Sequence, residues 1–387
     1  MYTLIINPWS AVISPPVKSM ALALMLLSMT ANPASSAINP VRAKTLEGWR
    51  VLAPLPDKVG YAGMFAGVIA GRLVAGGGSQ FPDRPLWLNG QKTYSDRVFV
   101  LTGLDGEWSE APVKLPRPMA HFAVATAPEA IYIAGGCDER GSLREVYAIK
   151  ATPAAGLGIH RLPDLPEPIV YAAAAVVNGR LYVAGGQTVL GARLASAAVL
   201  SLDLTELDNG WKREPDLPGG GTFIGTMAAH DKELFFIGGV GFDETGKSVQ
   251  SPGLWQLDSR TQSWVPLPEM PEPRVGAVAP CPVLEGGRIF VIGGYAAAFP
   301  GERREHPGFS RQTFVYHIAQ KSWAAGPKLP HLPPTDRDAT GDAGPAPMVA
   351  APSAVWNGHV VVVGGEVRAS VRTPAVIAWP LAQSVAP

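Results

Sequence analysis

The sequence predicts an all-β fold made of six repeated units, and three observations support this prediction. Six apolar strands each end in paired glycines, spaced by 50 to 71 residues. A series of tryptophans alternates with these pairs, and the 387 residues include 43 Gly and 38 Pro, as turn-rich β proteins do. The glycine pairs are Gly76-Gly77, Gly135-Gly136, Gly185-Gly186, Gly238-Gly239, Gly293-Gly294 and Gly364-Gly365.

Each glycine pair ends the second strand of its unit. The four valines at 360–363 form a β-branched run that suits a buried strand. Gly364 and Gly365 follow because a chain that leaves a strand through positive φ needs residues without a Cβ atom. Upstream of each pair lies a strand of small residues, such as 171–177, which suits a position crowded against a central axis.

The tryptophans mark the fourth strand of each unit, and each precedes a Leu-Pro or similar segment. A tryptophan on an outermost strand can pack over the neighbouring sheet and bury a large apolar area. We therefore assign these tryptophans to structure rather than to sugar stacking. In the remaining unit, His160 takes this position. The series is Trp49, Trp108, Trp211, Trp264 and Trp323.

Four strands per unit, with Gly-Gly after the second and Trp in the fourth, resemble the kelch repeat. The resemblance implies a six-bladed kelch-type β-propeller, in which radial blades leave few exposed edges. The Trp49 strand lacks three preceding strands, and the last unit reaches Trp379 without a fourth strand. We therefore expect the N-terminal strand to complete the last blade and close the ring.

The Gly-Gly loops and the loops after the Leu-Pro segments should surround one mouth of the central channel, the default ligand site of such a fold. Two of these loops are long, at 79–94 and 295–311, and a third insertion at 331–347 is rich in Pro, Asp and Gly. The long loops carry aromatic and basic side chains that are candidates for substrate binding. These are Phe81, Arg84, Lys92, Tyr94, Arg304 and Arg311.

Composition and spacing disfavour several classes of function. The formal net charge is zero, which argues against a nucleic-acid or anionic-membrane surface. Cys137 and Cys281 lie in different repeats, so a disulfide framework is not expected. The histidines and cysteines show no zinc-ligand spacing, and there is no Gly-x-Ser-x-Gly motif. We expect no metal and no cofactor.

Residues 1–37 have the pattern of a secretory signal peptide, and 38–387 form the predicted propeller. Lys18 precedes an apolar run from Met20 to Met29, and small residues at Ser35 and Ala37 suit cleavage after Ala37. The run is too short to span a bilayer. The expected location is periplasmic or secreted. A disordered leader is the alternative, and translation from Met20 would remove the positive residue.

Glu366 and Arg372 are the candidate catalytic residues. Glu366 directly follows Gly365, and an antiparallel hairpin should return Arg372 close to it. A carboxylate partly shielded from water at this junction can transfer protons. Arg372 is too basic to act as an acid and suits a bidentate grip on a substrate carboxylate. The alternative is a rim ion pair worth about 0–1 kcal/mol.

The stretch Gly-Gly-Glu366-Val-Arg-Ala-Ser-Val-Arg372-Thr resembles the Gly-Glu-…-Arg-Thr stretch of the bacterial sialic-acid mutarotases, also called N-acetylneuraminate epimerases. The loop from Gly76 to Asp96 is also similar to a long loop of that family. Here the long-loop blade comes first and the Glu/Arg blade last, so the chain resembles a cyclically permuted branch. The resemblance implies an exported six-bladed propeller with Glu366 and Arg372 as the active-site pair.

The implied activity is the interconversion of anomers of N-acetylneuraminate or a related acidic sugar, by acid/base opening and closing of the ring. The partner would be a small sugar molecule, with no nucleic acid, no membrane after leader cleavage, and a homodimer left open. Two other functions stay open. These are a non-catalytic exported glycan-binding or solute-binding propeller, and a protein-interaction scaffold, as many kelch proteins are.

Overall fold

The structure is a computed structural model that describes residues 45–154, 156–258, 261–302, 305–332 and 349–382. The predicted signal peptide at 1–37 and most of the insertion predicted at 331–347 lie outside the described residues, and so does Arg304.

Six four-stranded antiparallel sheets form the blades of a β-propeller, which confirms the predicted fold class. In each blade the strands follow one another outward from the central axis. Blade 1 contains Ala62–Ile69, Arg72–Gln80, Val98–Leu101 and Ser109–Glu110. Blade 2 contains Ala123–Ala127, Ala130–Ala134, Val146–Ala151 and Leu157–Leu162. Blade 3 contains Ala173–Val177, Arg180–Ala184, Val199–Asp203 and Trp211–Glu214. Blade 4 contains Thr226–His230, Glu233–Ile237, Leu254–Asp258 and Ser263–Leu267. Blade 5 contains Val283–Leu284, Arg288–Val291, Phe314–His317 and Ser322–Ala325. Blade 6 contains Ser353–Trp356, His359–Val363, Val376–Pro380 and Trp49–Val51.

Shorter elements decorate the loops between the second and third strands. These are the pairs Cys137–Asp138 with Gly141–Ser142, Val240–Phe242 with Ser248–Gln250, and Glu366–Arg368 with Val371–Arg372, and the strand Thr93–Tyr94. Elsewhere, Val275–Ala277 pairs with Gly293–Tyr295, and Thr45–Leu46 extends blade 6. The 3₁₀ turns span Leu86–Leu88 and Leu207–Asn209. The described part of the chain contains no α-helix and therefore no helix that could span a membrane.

The paired glycines leave the second strands with positive φ, as predicted, but the pair of blade 1 is shifted by one residue. Gly77 and Gly78 have φ of 64° and 98°, close to the 58° and 108° of Gly364 and Gly365. The amide of Gly78 also donates to the next blade, at the carbonyl of Met119, as that of Gly365 does at Tyr61. Gly76 still belongs to the strand and pairs with Val98.

The N-terminal strand closes the ring as predicted. Arg50 and Val51 pair with Ala378 and Ile377 in the third strand of blade 6. Trp49 is fully buried, and its ring lies 5.4 Å from that of Trp379. The two ends of the described propeller are therefore held together by a shared sheet and a shared core.

The tryptophans connect neighbouring blades, as their spacing predicts. Each indole Nε1–H donates to a backbone carbonyl of the preceding blade, at 2.7 to 3.0 Å. The acceptors for Trp49, Trp108, Trp211, Trp264 and Trp323 are the carbonyls of Lys328, Ala53, Pro163, Pro215 and Pro268. A ring that buries apolar area and also satisfies a carbonyl fixes the spacing between blades.

A closed circle of six backbone hydrogen bonds surrounds the channel axis near the starts of the innermost strands. One residue per blade donates its N–H to the carbonyl of the equivalent residue in the neighbouring blade, at 2.8 to 3.1 Å. All six have φ between 51° and 70°. They are Gly63, His121, Tyr171, Ile224, Gly276 and Ala350. This axial ring, as we call it, narrows the channel and brings side chains distant in sequence to one place.

Candidate active site

The residue that follows the paired glycines differs from blade to blade. In the first five blades it is uncharged, and only blade 6 has a carboxylate there. The six equivalent residues are Ser79, Cys137, Gln187, Val240, Tyr295 and Glu366. The local strand geometry is shared, so the blades differ at this position in chemistry and not in backbone shape.

Glu366 and Arg372 form a partly buried ion pair across the small hairpin of blade 6. Their backbones are directly paired, and Arg372 Nη1 donates to Glu366 Oε1. The same Oε1 accepts the amide N–H of Ser370 at 3.0 Å. Both bonds end on Oε1, so Oε2 has no donor among the described residues and is open to the cavity.

Arg372 is held from two further directions. Its Nε donates to the carbonyl of Ser79 at 3.1 Å, and the guanidinium lies 5.2 Å from the centre of the Phe81 ring. The side chain is only 4% exposed, against 21% for Glu366, so this is not a pair on the solvent-exposed rim. Burial lowers the pKa of Arg372 to about 10, which still leaves it charged at neutral pH.

A second cation, Lys92, lies beside a neutral histidine of the axial ring. Lys92 Nζ is 3.4 Å from His121 Nε2, which also contacts Ser79 Oγ at 3.1 Å. Burial holds the pKa of His121 well below its usual value, and the charges of Lys92 and Arg372 lower it further. Burial also lowers the pKa of Lys92. Neutral His121 therefore adds no charge beside the two cations.

These residues line a cavity of about 630 Å³ at the Gly-Gly mouth of the channel. Its described lining carries two cations and one carboxylate, a net positive charge that favours an anionic ligand. The floor comes from the axial ring, and an apolar wall comes from the loop after blade 5's paired glycines. The volume falls in the range of small-molecule sites.

A cavity of about 530 Å³ lies at the opposite end of the channel. Its described lining consists mainly of Ala, Gly, Pro and Val from the inner strands and contains no charged side chain. The polar groups that could orient a ligand or transfer a proton are therefore at the Gly-Gly mouth. Among the described residues, no group of three or more His, Cys, Asp or Glu side chains could hold a metal ion.

The predicted substrate-binding residues fall into three groups. Phe81 and Lys92 line the cavity with Glu366 and Arg372. Tyr94 lies behind Lys92, whose ammonium is 5.2 Å from its ring, and its hydroxyl is near Cys137 Sγ.

Arg84 and Arg311 are not part of the cavity lining. Arg84 is exposed in the long loop of blade 1. Arg311 is directed elsewhere, because its guanidinium binds Glu47 and the carbonyl of Leu329.

Sequence reasoning did not single out several residues of the site. His121, Tyr171 and Ile224 line the cavity because they stand at the axial ring. Each lies two residues before the innermost strand of its blade, and this shared position in the repeat could have identified them. Tyr295, Phe299 and Phe309 form the aromatic part of the apolar wall of the cavity. They lie in the 295–311 loop, in which the predicted substrate-binding residues were basic side chains only.

The fold and the site define a six-bladed propeller with a cationic cavity at one mouth of its channel. A family model described as KLHDC2/KLHL20/DRC7 Kelch-repeats domain matches residues 66–294. The match spans more than half of the sequence, and the chain belongs to this kelch-repeat family.

Curated relatives support the resemblance to N-acetylneuraminate epimerases. The protein of that name from Yersinia enterocolitica is 26% identical over 245 residues, which cover 56% of this chain and 56% of the relative. The one from Pasteurella multocida is 23% identical, with coverage of 59% and 61%. Kelch-like protein terF from Aspergillus terreus is 25% identical, with coverage of 64% and 52%. The chain thus spans about half to three fifths of the length of these relatives.

Proposed function

We propose that this protein is a mutarotase, an isomerase that interconverts the anomers of N-acetylneuraminate or a related acidic sugar. The proposal rests chiefly on Glu366, whose Oε1 is fixed by two donors while Oε2 stays open beside two cations. The names of two relatives, both N-acetylneuraminate epimerases, support the substrate class.

Mutarotation requires a base for the proton of the anomeric hydroxyl and a proton donor to the ring oxygen, and one carboxyl group can serve as both. In our mechanism, Glu366 Oε2 takes the proton of the anomeric hydroxyl and delivers it to the ring oxygen as the bond between that oxygen and the anomeric carbon breaks. The open-chain ketone rotates and the ring closes on the other face, with the proton transfers reversed. The pairing with Arg372 keeps the carboxyl group in one orientation throughout.

The sugar carboxylate would be held between Arg372 and Lys92. The bidentate grip expected of Arg372 is reduced, since its Nε and Nη1 already donate to Ser79 and Glu366. Its Nη2 remains for a ligand, and the Lys92 ammonium lining the same cavity supplies the second positive charge. A charge-assisted bond from each cation suits a single carboxylate.

The rate of anomer exchange tests the proposal. Saturation-transfer NMR on N-acetylneuraminate, with and without protein, measures this rate directly. Glu366→Gln keeps the shape of the side chain but removes the exchangeable acid, so the rate should fall about 10²–10⁴-fold. The matched control is Glu244→Gln, at an exposed turn of blade 4, which should leave the rate unchanged. A parental rate in Glu366→Gln would contradict the assignment.

A non-catalytic kelch propeller that binds a glycan, a solute or a protein is the second candidate, favoured by the likeness to the Kelch-like protein of Aspergillus terreus. The same experiment separates the two. Sugar binding without any gain in the exchange rate would support a binding protein. If the protein neither binds the sugar nor speeds its exchange, a protein-interaction scaffold would be favoured.

We also propose that the protein is exported, with residues 1–37 removed, because their pattern is that of a signal peptide. Mass spectrometry of the protein from fractionated cells would show a mature chain beginning near residue 38 in the periplasm or medium. A full-length chain confined to the cytoplasm would contradict this.

A further inference from the structure

An aromatic wall stands in the same cavity as the cationic residues. It consists of Tyr295, Phe299, His306 and Phe309, all from the loop that follows Gly293 and Gly294. The His306 ring lies 5.0 Å from that of Phe299 and 4.8 Å from that of Phe309, and Tyr295 stacks with Phe309 at 6.2 Å. The Phe299 side chain is 36% exposed, so the wall presents ring surface to a ligand.

His306 places one directional hydrogen-bond donor in this apolar wall. The amide of Gly308 donates to His306 Nδ1 at 3.1 Å, so Nδ1 is an acceptor and the neutral ring carries its proton on Nε2. Burial lowers the pKa of His306, and the nearby charge of Arg368 lowers it further, so the ring is neutral at pH 7. The Nε2–H has no acceptor among the described residues.

We infer that this wall is a subsite for an acylamino substituent of the sugar, an inference that rests on the proposed function. The carbonyl oxygen of the acyl group accepts the His306 Nε2–H, and its methyl group lies against Phe299 and Phe309. An N–H donor between two apolar rings matches a group that has an acceptor and a methyl side by side. A bare hydroxyl offers neither the carbonyl acceptor nor the methyl group, so it leaves the donor and the rings without a partner.

Two sugars test the inference with the wild-type protein alone. One is N-acetylneuraminate, and the other is the analogue in which a hydroxyl replaces the N-acetyl group. Both keep the carboxylate and the anomeric centre, so saturation-transfer NMR at several concentrations compares their KM values and maximal rates. We expect a KM about tenfold or more higher for the hydroxyl analogue, because a polar site discriminates against a ligand that leaves it unpaired.

A pair of variants then assigns the preference to His306. His306→Phe keeps a planar ring but removes the N–H, so KM for N-acetylneuraminate should rise about tenfold and that for the analogue much less. The control is His317→Phe, in the third strand of blade 5, outside the cavity lining. It should leave both KM values unchanged.

The outcomes separate this inference from the proposed function. Exchange of both sugars with equal KM values would overturn the acylamino subsite and leave the mutarotase proposal standing. An unchanged preference in a folded His306→Phe variant would also overturn it. If the protein speeds the exchange of neither sugar, the proposed function itself would be overturned.

Discussion

The partly buried ion pair of Glu366 and Arg372 leads to the sharpest prediction about stability. We consider Arg372→Met, which keeps an unbranched apolar stem, and Glu366→Gln, which keeps shape and removes charge. The two variants and their double variant form a thermodynamic cycle that isolates the coupling between the side chains. A pair on the exposed rim of a propeller would show a coupling of about 0.2–1 kcal/mol.

The structure predicts a larger coupling. With Arg372 4% exposed and Glu366 21% exposed, loss of either partner leaves a poorly solvated charge, and breaking a buried pair typically costs about 3–5 kcal/mol. We expect about 3 kcal/mol for Arg372→Met, the low end, since Glu366 keeps the Ser370 amide and some contact with water. We expect about 2 kcal/mol for Glu366→Gln, where an amide oxygen still faces the guanidinium.

The double variant should cost about 3 kcal/mol, less than the sum of the two single losses, since no unpaired charge remains. The coupling is then about 2 kcal/mol. Urea unfolding followed by tryptophan fluorescence measures all four proteins, provided that the slopes with urea agree. A coupling below about 0.5 kcal/mol would refute the reasoning, because the pair would then behave as a solvated one.

Three further predictions concern the axial ring and the ring closure. His121 is buried and neutral in the folded protein, so below pH 6.5 the unfolded chain binds one more proton than the folded chain. The free energy of unfolding should therefore fall by up to about 1.4 kcal/mol per pH unit in this range. Urea titrations at pH 7.5, 6 and 5 should show a smaller fall for the His121→Asn variant than for the wild type. Trp49→Ala should cost about 4 kcal/mol by urea unfolding, clearly more than Trp264→Ala, whose ring is half-buried; equal losses would argue against closure by the N-terminal strand. Gly63→Ala places a methyl group 2.3 Å from His121 Nδ1, so it should lower the free energy of unfolding by about 3 kcal/mol and weaken sugar binding in calorimetry. The control Gly71→Ala has a similar φ but open space around the new methyl group, so it should cost about 1 kcal/mol and leave sugar binding normal.

Much of the fold could be predicted from the sequence because its signals are local. Paired glycines are needed where a strand ends in positive φ, and a tryptophan is needed where a fourth strand packs on the next blade. The same local geometry recurs six times, so even the incomplete Trp49 strand indicated closure of the ring. The error in blade 1 is equally local: three consecutive glycines, Gly76 to Gly78, allow two assignments, and only the hydrogen bonds to Arg97 and Met119 decide between them.

In the candidate site, too, only the contacts between residues close in sequence could be predicted. Glu366 and Arg372 lie six residues apart on one hairpin, so their contact follows from strand pairing that a sequence can show. The direction in which a long loop presents its side chains depends on what lies next to it, and for that reason Arg311 binds Glu47 instead of facing the cavity. His121 and Tyr171 come from different blades and reach the site only because the axial ring draws the six inner strands together. The sequence by itself therefore determined the repeat, the number of blades and the hairpin of Glu366 and Arg372, since each depends on neighbours along the chain. The tertiary structure alone decided which side chains share the cavity, since that depends on closing a ring of six blades around a common axis.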